Sequence, residues 1–363
     1  SNILSSFLKL ISVQWIIVLL LYELSSGFFI PLNDDFYYQF VSFFLSVIFF
    51  YVFFYFLFSR IGFVKIKPLI NPKFLYFVAV IGFVFSFFRF VYLLYFFGDF
   101  YSLRQGILSN NISLYVGYSF PIVAASFFHA KISGRRIKFL FAFLMLILSV
   151  ISSSKIFLIL SLIFISCVYE NNYRLKLKHV FVLVVSGFLL FSIMHLLMKK
   201  IAGINEYPLI VALGYTFLGY LLGGIAAFQM IVSDLFSTGV VYSSITDLIL
   251  NIPSQVHMDS SNGWVRTGNW YGNVHSGFAI WYEFNNQYGV VLYGFIIGII
   301  HALIYSHTKK SVAFQFMKAF SLYSIFFIVF YDTYVMSVKL WIAFFIASIF
   351  LSLTKLHVNK SVV

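Results

Sequence analysis

Residues 251–257 read Asn251-Ile252-Pro253-Ser254-Gln255-Val256-His257. Residues 263–275 follow as Gly263-Trp264-Val265-Arg266-Thr267-Gly268-Asn269-Trp270-Tyr271-Gly272-Asn273-Val274-His275. An amphipathic run over 278–287 comes next and passes into an apolar span opened by Tyr288-Gly289. Nearly everything on either side is apolar and helix-forming. Irregular backbone persists beside a bilayer only where water or protein satisfies its N–H and C=O groups. A polar stretch rich in Trp, Tyr, His and Gly between apolar spans is therefore expected to be a large loop at one membrane surface, over about 233–287. Such loops carry function more often than the spans that hold them.

The 363 residues are 62% hydrophobic and 10% charged, too apolar for a soluble chain of this length. Apolar runs of about 15–25 residues recur along it, as membrane spans do. One membrane domain, 1–363, accounts for the whole chain. The one cysteine, Cys167, lies in an apolar run, so no intrachain disulfide can form. No cleavable signal peptide is expected, because the first apolar run lacks a small-residue cleavage pattern. The net charge of +13 does not point to nucleic acid. Of 24 Lys and Arg, 15 fall in the clusters 60–73, 131–138, 174–178, 309–310 and 355–360, which the positive-inside rule places in the cytoplasm.

Taken in order, spans are expected over about 4–22, 40–58, 74–97 and 112–128, with the N-terminus inside. Arg89 lies two turns from the outer end of the third. An arginine there costs about 2.5–3.5 kcal/mol on insertion scales, so it faces a partner or wet cavity, or snorkels to the headgroups. Arg104 sits in the following outer loop. Residues 139–169 are one tilted helix or two short ones. Basic flanks on both sides and the central Ser152-Ser153-Ser154-Lys155 favour two helices meeting at a recessed turn, since about 14 residues span only about 21 Å. A lysine among hydroxyls and helix-end amides suits a phosphate. A span over about 180–197 then leads outward to Lys199 and Lys200, which become ordinary inner charges if 139–169 is a single helix. Residues 207–232, with Gly214, Gly219, Gly223 and Gly224, are expected to be re-entrant or interfacial, bent at Gly223-Gly224, so that the large loop stays outside. Spans over about 289–305, 313–330 and 335–353 complete the chain. The expected architecture is thus all-α and polytopic, with about ten transmembrane helices, a re-entrant or interfacial segment and one large outer loop.

The outer side collects Arg89, Arg104, Lys155, Lys199, Lys200, Arg266 and Lys339, with His257 and His275. Glu283 stands near them in sequence, but no carboxylate pair or Cys/His set has a metal-ligand spacing, so no metal and no cofactor is expected. Cations around histidines suit an anionic leaving group and one proton transfer. Arg and Lys neutralise a departing pyrophosphate, and a neutral His takes a proton from an attacking hydroxyl. Trp264, Trp270, Tyr271, Trp281 and Tyr282 supply ring faces on which sugars stack. Each group also has a plainer explanation: His275 as a loop hydrogen-bonder, Arg266 as a structural cation, the aromatics as an interfacial belt.

These residues resemble the Wzy-type oligosaccharide repeat-unit polymerases and, more distantly, the O-antigen ligases. Three stretches carry the resemblance. Ser152-Ser153-Ser154-Lys155 stands where that family has a small-residue turn and a basic residue, usually Arg. Residues 219–234 are similar to its glycine-containing segment before the large periplasmic loop. His275, Glu283 and Tyr288-Gly289-Val290-Val291-Leu292-Tyr293-Gly294 are similar to the ligase-type loop end. The resemblance implies an inverting, metal-independent glycosyl transfer at the periplasmic face of the bacterial inner membrane. A glycan on undecaprenyl pyrophosphate would be passed to the terminal sugar of a second lipid-linked repeat unit. It implies His275 as base, Arg266 and Lys155 neutralising the pyrophosphate, and Arg89, Arg104, Lys199, Lys200, His257, Glu283, Trp270 and Tyr271 as substrate contacts. Undecaprenyl-pyrophosphate-linked oligosaccharides are the implied partners, with a chain-length regulator protein as a further one. The rivals are a lipid-linked oligosaccharide flippase or other polytopic carrier, and a membrane acyltransferase. Carriers usually show two similar halves and a polar midplane path, and neither is evident here.

Overall fold

Asn33 and Asn71 each begin a long apolar helix, and each caps it. Their side chains accept from the Phe36 and Lys73 amides at 2.9 Å, the ordinary N-cap bond. The computed structural model describes residues 4–25, 27–62, 67–100, 102–104, 106, 113–152, 155–167, 185, 189, 192, 208–237, 240–250, 255–256, 265–267, 270–272, 277–308, 310–329, 334 and 337–355. The helices within them are α1 (Leu4–Leu24), α2 (Asp34–Arg60), α3 (Pro72–Phe97), α4 (Val116–Ile132), α5 (Lys138–Ile151), α6 (Lys155–Cys167) and α7 (Leu209–Val232), then α8 (Ile245–Leu250), α9 (Ala279–His307), α10 (Val312–Phe327) and α11 (Val338–Leu353). The large loop adds two small antiparallel ribbons: β1 (Val240–Val241) with β2 (Gln255–Val256), and β3 (Val265–Thr267) with β4 (Trp270–Gly272).

By length and composition α1, α2, α3 and α9 can cross a membrane, as can α7 if its bent halves form one span; α10, α11 and the helices of the α5–α6 region are shorter and apolar. Side chains such as Phe49, Phe77 and Phe88 are 61–68% exposed on α2 and α3, which only lipid can cover at this density. The chain is an all-α polytopic membrane protein. It divides into two compact units: residues 1–63, 205–307 and 324–338, and residues 64–204, 308–323 and 339–363.

In the first unit α9 is the hub, and most of its span is buried. It packs against α2 at Gly294 and Gly298, a Gly-x-x-x-Gly spacing that lets two backbones approach closely. A Cβ at Gly294 would stand 2.7 Å from Ser46 Oγ, and that hydroxyl is already committed, donating to the Val291 carbonyl at 2.7 Å. Further along, Phe7 stacks on His301 at 4.4 Å, and His301 Nε2 is 2.7 Å from the Tyr334 hydroxyl. A polar latch ties the start of α2 to the end of α7. The Asn33 amide donates to Gln229 Oε1 at 3.0 Å, and Asn33 Nδ2 and Gln229 Nε2 both donate to Ser233 Oγ.

In the second unit, residues 138–167 are two helices. α5 and α6 fold back on each other through a Ser149–Ser161 hydroxyl pair at 2.8 Å, in which Ser149 donates to the Met145 carbonyl at 2.7 Å and accepts from Ser161. A ring stack of Phe164, Phe316, Phe320 and Phe344, with Phe320 and Phe344 centred 4.0 Å apart, fills the space beside them. Buried His129 joins three segments, lying 2.8 Å from the Tyr76 hydroxyl through Nδ1 and 3.1 Å from the Lys355 carbonyl through Nε2.

One expectation needs adjustment. α7 bends by 45° between 209–219 and 221–232, one turn before the expected Gly223-Gly224. Those glycines lie in a buried stretch that packing keeps helical, so the break falls where the helix leaves that packing.

Candidate functional site

α7 ends in a Schellman turn, with the Asp234 amide donating to the Ile231 carbonyl at 3.1 Å and the Leu235 amide to the Met230 carbonyl at 2.9 Å. The position after the cap takes a left-handed backbone, usually glycine, and here it is Asp234 with φ 54°. On the other side of the loop, α9 is broken at Asn285 and Asn286, the latter at φ 43°. The break separates a short surface helix carrying Trp281, Tyr282 and Glu283 from the span beyond. Gly289 makes the fold-back possible, because a Cβ there would collide with the Trp281 carbonyl oxygen.

These two turns face one cavity of about 350 Å³, walled by Asp234 and Ser237 from the end of α7, by Tyr242, and by Tyr282, Glu283 and Asn286 from α9. Asparagine and aspartate are the residues that best tolerate such a backbone, and two of the three positive-φ non-glycine residues described line this cavity. The Tyr282 phenol is pushed above its ordinary range by burial first, then by Asp234 and Asp35. Among the described residues, no group of three His, Cys, Asp or Glu side chains could hold a metal ion.

The ribbon β3–β4 lies against the same helix α7 and sets Arg266 opposite Tyr271 and Thr267 opposite Trp270. Within the loop, β1 pairs with β2 and lies against α9. Ser244 starts α8 by accepting from the Asp247 amide at 3.1 Å, while Asp247 accepts from the Ser243 and Ser244 hydroxyls at 2.6 and 2.7 Å. Those bonds hold the Asp247 carboxyl below its ordinary range.

The expected site residues are placed unevenly. Glu283 lines the cavity, and Arg266, Trp270 and Tyr271 share the ribbon. Lys155 is the first residue of α6. Arg89 sits two turns from the end of α3, half-buried, with its guanidinium 5.9 Å from the centre of the Tyr92 ring and its buried Nε without a hydrogen-bond partner. Arg104 is half-buried in the segment after α3, and burial lowers its pKa. His275, His257, Lys199 and Lys200 lie outside the described residues.

Tyr282, expected as a sugar-stacking ring, lines the cavity, and three cavity residues escaped the sequence reading as site residues: Asp234, Tyr242 and Asn286. The available signals were an aspartate just past a helix end and an Asn285-Asn286 pair where an amphipathic run meets an apolar span, both marks of left-handed turns.

No family model matches the chain, and no solved structure matches it. Among curated proteins, one named O-antigen polymerase from Shigella dysenteriae is 28% identical over 360 residues, covering 94% of this chain and 90% of that protein. The likeness carried by three short stretches of sequence thus extends over nearly the full length, and the chain is a multi-pass membrane protein similar to an O-antigen polymerase.

Proposed function

We propose that this chain joins polysaccharide repeat units, of O-antigen or a related surface glycan, at the periplasmic face of the bacterial inner membrane. The full-length likeness to an O-antigen polymerase carries the proposal. The donor is a glycan on undecaprenyl pyrophosphate, and the acceptor is the terminal sugar of a second lipid-linked unit. An acceptor hydroxyl oxygen attacks the anomeric carbon of the donor, and the bond from that carbon to the phosphate oxygen breaks. Undecaprenyl pyrophosphate leaves with the electron pair, and attack from the opposite face inverts the anomeric centre. No metal takes part.

In this mechanism His275 takes the proton of the attacking hydroxyl, since a neutral imidazole near pH 7 is matched to that transfer. Arg266 and Lys155 neutralise the departing diphosphate. Arg89, Arg104, Lys199, Lys200, His257, Glu283, Trp270 and Tyr271 hold the substrates. A chain-length regulator is a further candidate partner. The position of Arg266 on a paired strand supports its role, because a ribbon fixes a side chain's base more firmly than an open loop.

A deletion strain tests the function. Long surface chains should be lost, leaving lipid cores capped with a single repeat unit, and should return with the wild-type gene. Arg266→Lys should restore more than Arg266→Ala, because a point charge replaces only part of a bidentate phosphate contact. Unchanged chain lengths in the deletion strain would remove the polymerase assignment, and equal activity of the two variants would make Arg266 a bystander.

A further inference from the structure

We propose that the apolar groove along α2, lined by Ser42, Leu45, Phe49, Phe53 and Phe56 with Val291 of α9, seats the polyprenyl chain of a lipid-linked repeat unit, with the head of that molecule at the kink of α9. This rests on the polymerase function proposed above and assigns the lipid part of its substrate to a place.

Residue size makes the groove. Ser46 is buried where α2 meets α9, its hydroxyl donating to the Val291 carbonyl, and Ser42 stands one turn before it. Small side chains on that line leave a trough of about 810 Å³ between larger ones. The trough is lined from Ser42 to Phe56, a rise of about 21 Å at about 1.5 Å per residue. A hydrocarbon core is about 30 Å thick, so the trough reaches through most of one. Leu45, Phe49, Phe53 and Phe56 are 55–63% exposed and face the bilayer.

The end of the groove decides its occupant. There Gln287 Nε2 donates to the Tyr38 hydroxyl at 2.8 Å and to the Ser42 hydroxyl at 3.3 Å, which ties the kink of α9 to α2. Gln287 directly follows Asn286, and Asn286 lines the cavity of about 350 Å³ together with Ser237, Tyr242 and Tyr282. An apolar groove and a cavity bearing hydroxyls and an amide thus meet at adjacent residues of one kink. A ligand lying across that kink has a polar head and one long apolar chain, which is the form of a lipid-linked saccharide; a phospholipid brings two chains to a single groove. Lipid tails are as apolar as the groove, so hydrophobicity alone selects nothing here. Selection comes from van der Waals fit. The methyl branches and double bonds of a polyprenyl chain fill a trough of phenylalanine rings more fully than a straight saturated chain does.

The test uses the full chain purified in detergent with phosphatidylethanolamine. The probe is a polyprenyl diphosphate carrying a diazirine in its chain, and labelled peptides are mapped by mass spectrometry after illumination. Undecaprenyl pyrophosphate and phosphatidylglycerol are the two competitors, at equal concentrations. Leu45→Trp narrows the groove, and Phe77→Trp, at a 61% exposed position on α3, is the control. Both side chains point away from the core, and equal melting temperatures certify both folds.

Label should fall on residues 42–56 in wild type and in Phe77→Trp. Undecaprenyl pyrophosphate should displace it and phosphatidylglycerol should not. In Leu45→Trp it should drop about tenfold, the low end of what a misfit in an apolar site brings. Label absent from 42–56, equal displacement by both competitors, or equal labelling in the two tryptophan variants overturns the assignment; equal displacement would make the groove ordinary lipid-facing surface. Because labelling is read without turnover, a failure here leaves the deletion-strain result standing. A deletion strain with normal chains would remove the polymerase function whatever the labelling shows.

Discussion

Replacing Gly294 by alanine tests the packing that holds the loop-bearing helix in place. The new Cβ would lie 2.7 Å from Ser46 Oγ, 2.8 Å from Ser46 Cβ and 3.0 Å from the Phe43 carbonyl oxygen. Carbon atoms pack at about 3.5–4.0 Å, so α2 and α9 must part by about 0.7 Å or Ser46 must turn away. Overpacking of this kind costs about 1–3 kcal/mol. Turning Ser46 also breaks its 2.7 Å bond to the Val291 carbonyl, worth about 0.5–1.5 kcal/mol. Together these place Gly294→Ala at about 2–4 kcal/mol of destabilisation. Gly214→Ala is the control, because a Cβ on that α7 glycine meets nothing within 4 Å. It should stabilise by about 0.4–1 kcal/mol through the unfolded chain. Adding Ser46→Gly to Gly294→Ala removes two of the three clashing atoms and should recover about 1–2 kcal/mol as a coupling energy. Equilibrium unfolding in mixed micelles, followed by tryptophan fluorescence, measures all four proteins. If Gly294→Ala behaves like Gly214→Ala, or if Ser46→Gly brings no recovery, the close crossing of α2 and α9 is wrong.

Two further perturbations follow from individual bonds. Tyr334→Phe removes the hydroxyl 2.7 Å from buried His301 Nε2 and should cost about 1–3 kcal/mol in the same unfolding assay; adding His301→Phe should return part of that, because the imidazole left without its Tyr334 bond is then replaced by an apolar ring. Ser244→Ala removes the cap of α8 and should cost about 1 kcal/mol locally, seen as faster hydrogen exchange over 245–250 with no change in exchange at the α2–α9 crossing.

The sequence made some levels of this molecule legible and hid others for physical reasons. Apolar runs and basic clusters are local signals, and they gave the membrane class and the two-helix arrangement of 138–167, where a serine-lysine turn interrupts an apolar run; the start of α2 at Asp34, ahead of the expected span, is set by the Asn33 cap instead. The kink of α9 was half-visible, since an amphipathic run at 278–287 cannot continue straight into a span. The bend of α7 was misplaced because glycine marks permission to bend, whereas packing decides which permitted point is used. The ribbons of the loop were missed because two- and three-residue strands carry too short an alternation to stand out. The cavity was the least legible feature. It depends on a Schellman turn closing over a kink some fifty residues further along the chain, so Asp234 and Glu283 meet only in the fold. Cation counting drew attention to Arg266 and Lys155, and the cavity then turned out to be lined by carboxylates and tyrosines.

Reconstitution tests the central claim most directly. The purified chain is placed in liposomes with the lipid-linked repeat unit as sole substrate, and the products are separated on a gel while released undecaprenyl pyrophosphate is measured. Polymerisation predicts a ladder rising one repeat unit at a time, one undecaprenyl pyrophosphate freed per unit joined, and an inverted anomeric linkage at each junction by NMR. Repeat units that cross the bilayer without being joined, with no undecaprenyl pyrophosphate released, would contradict it and make the protein a carrier.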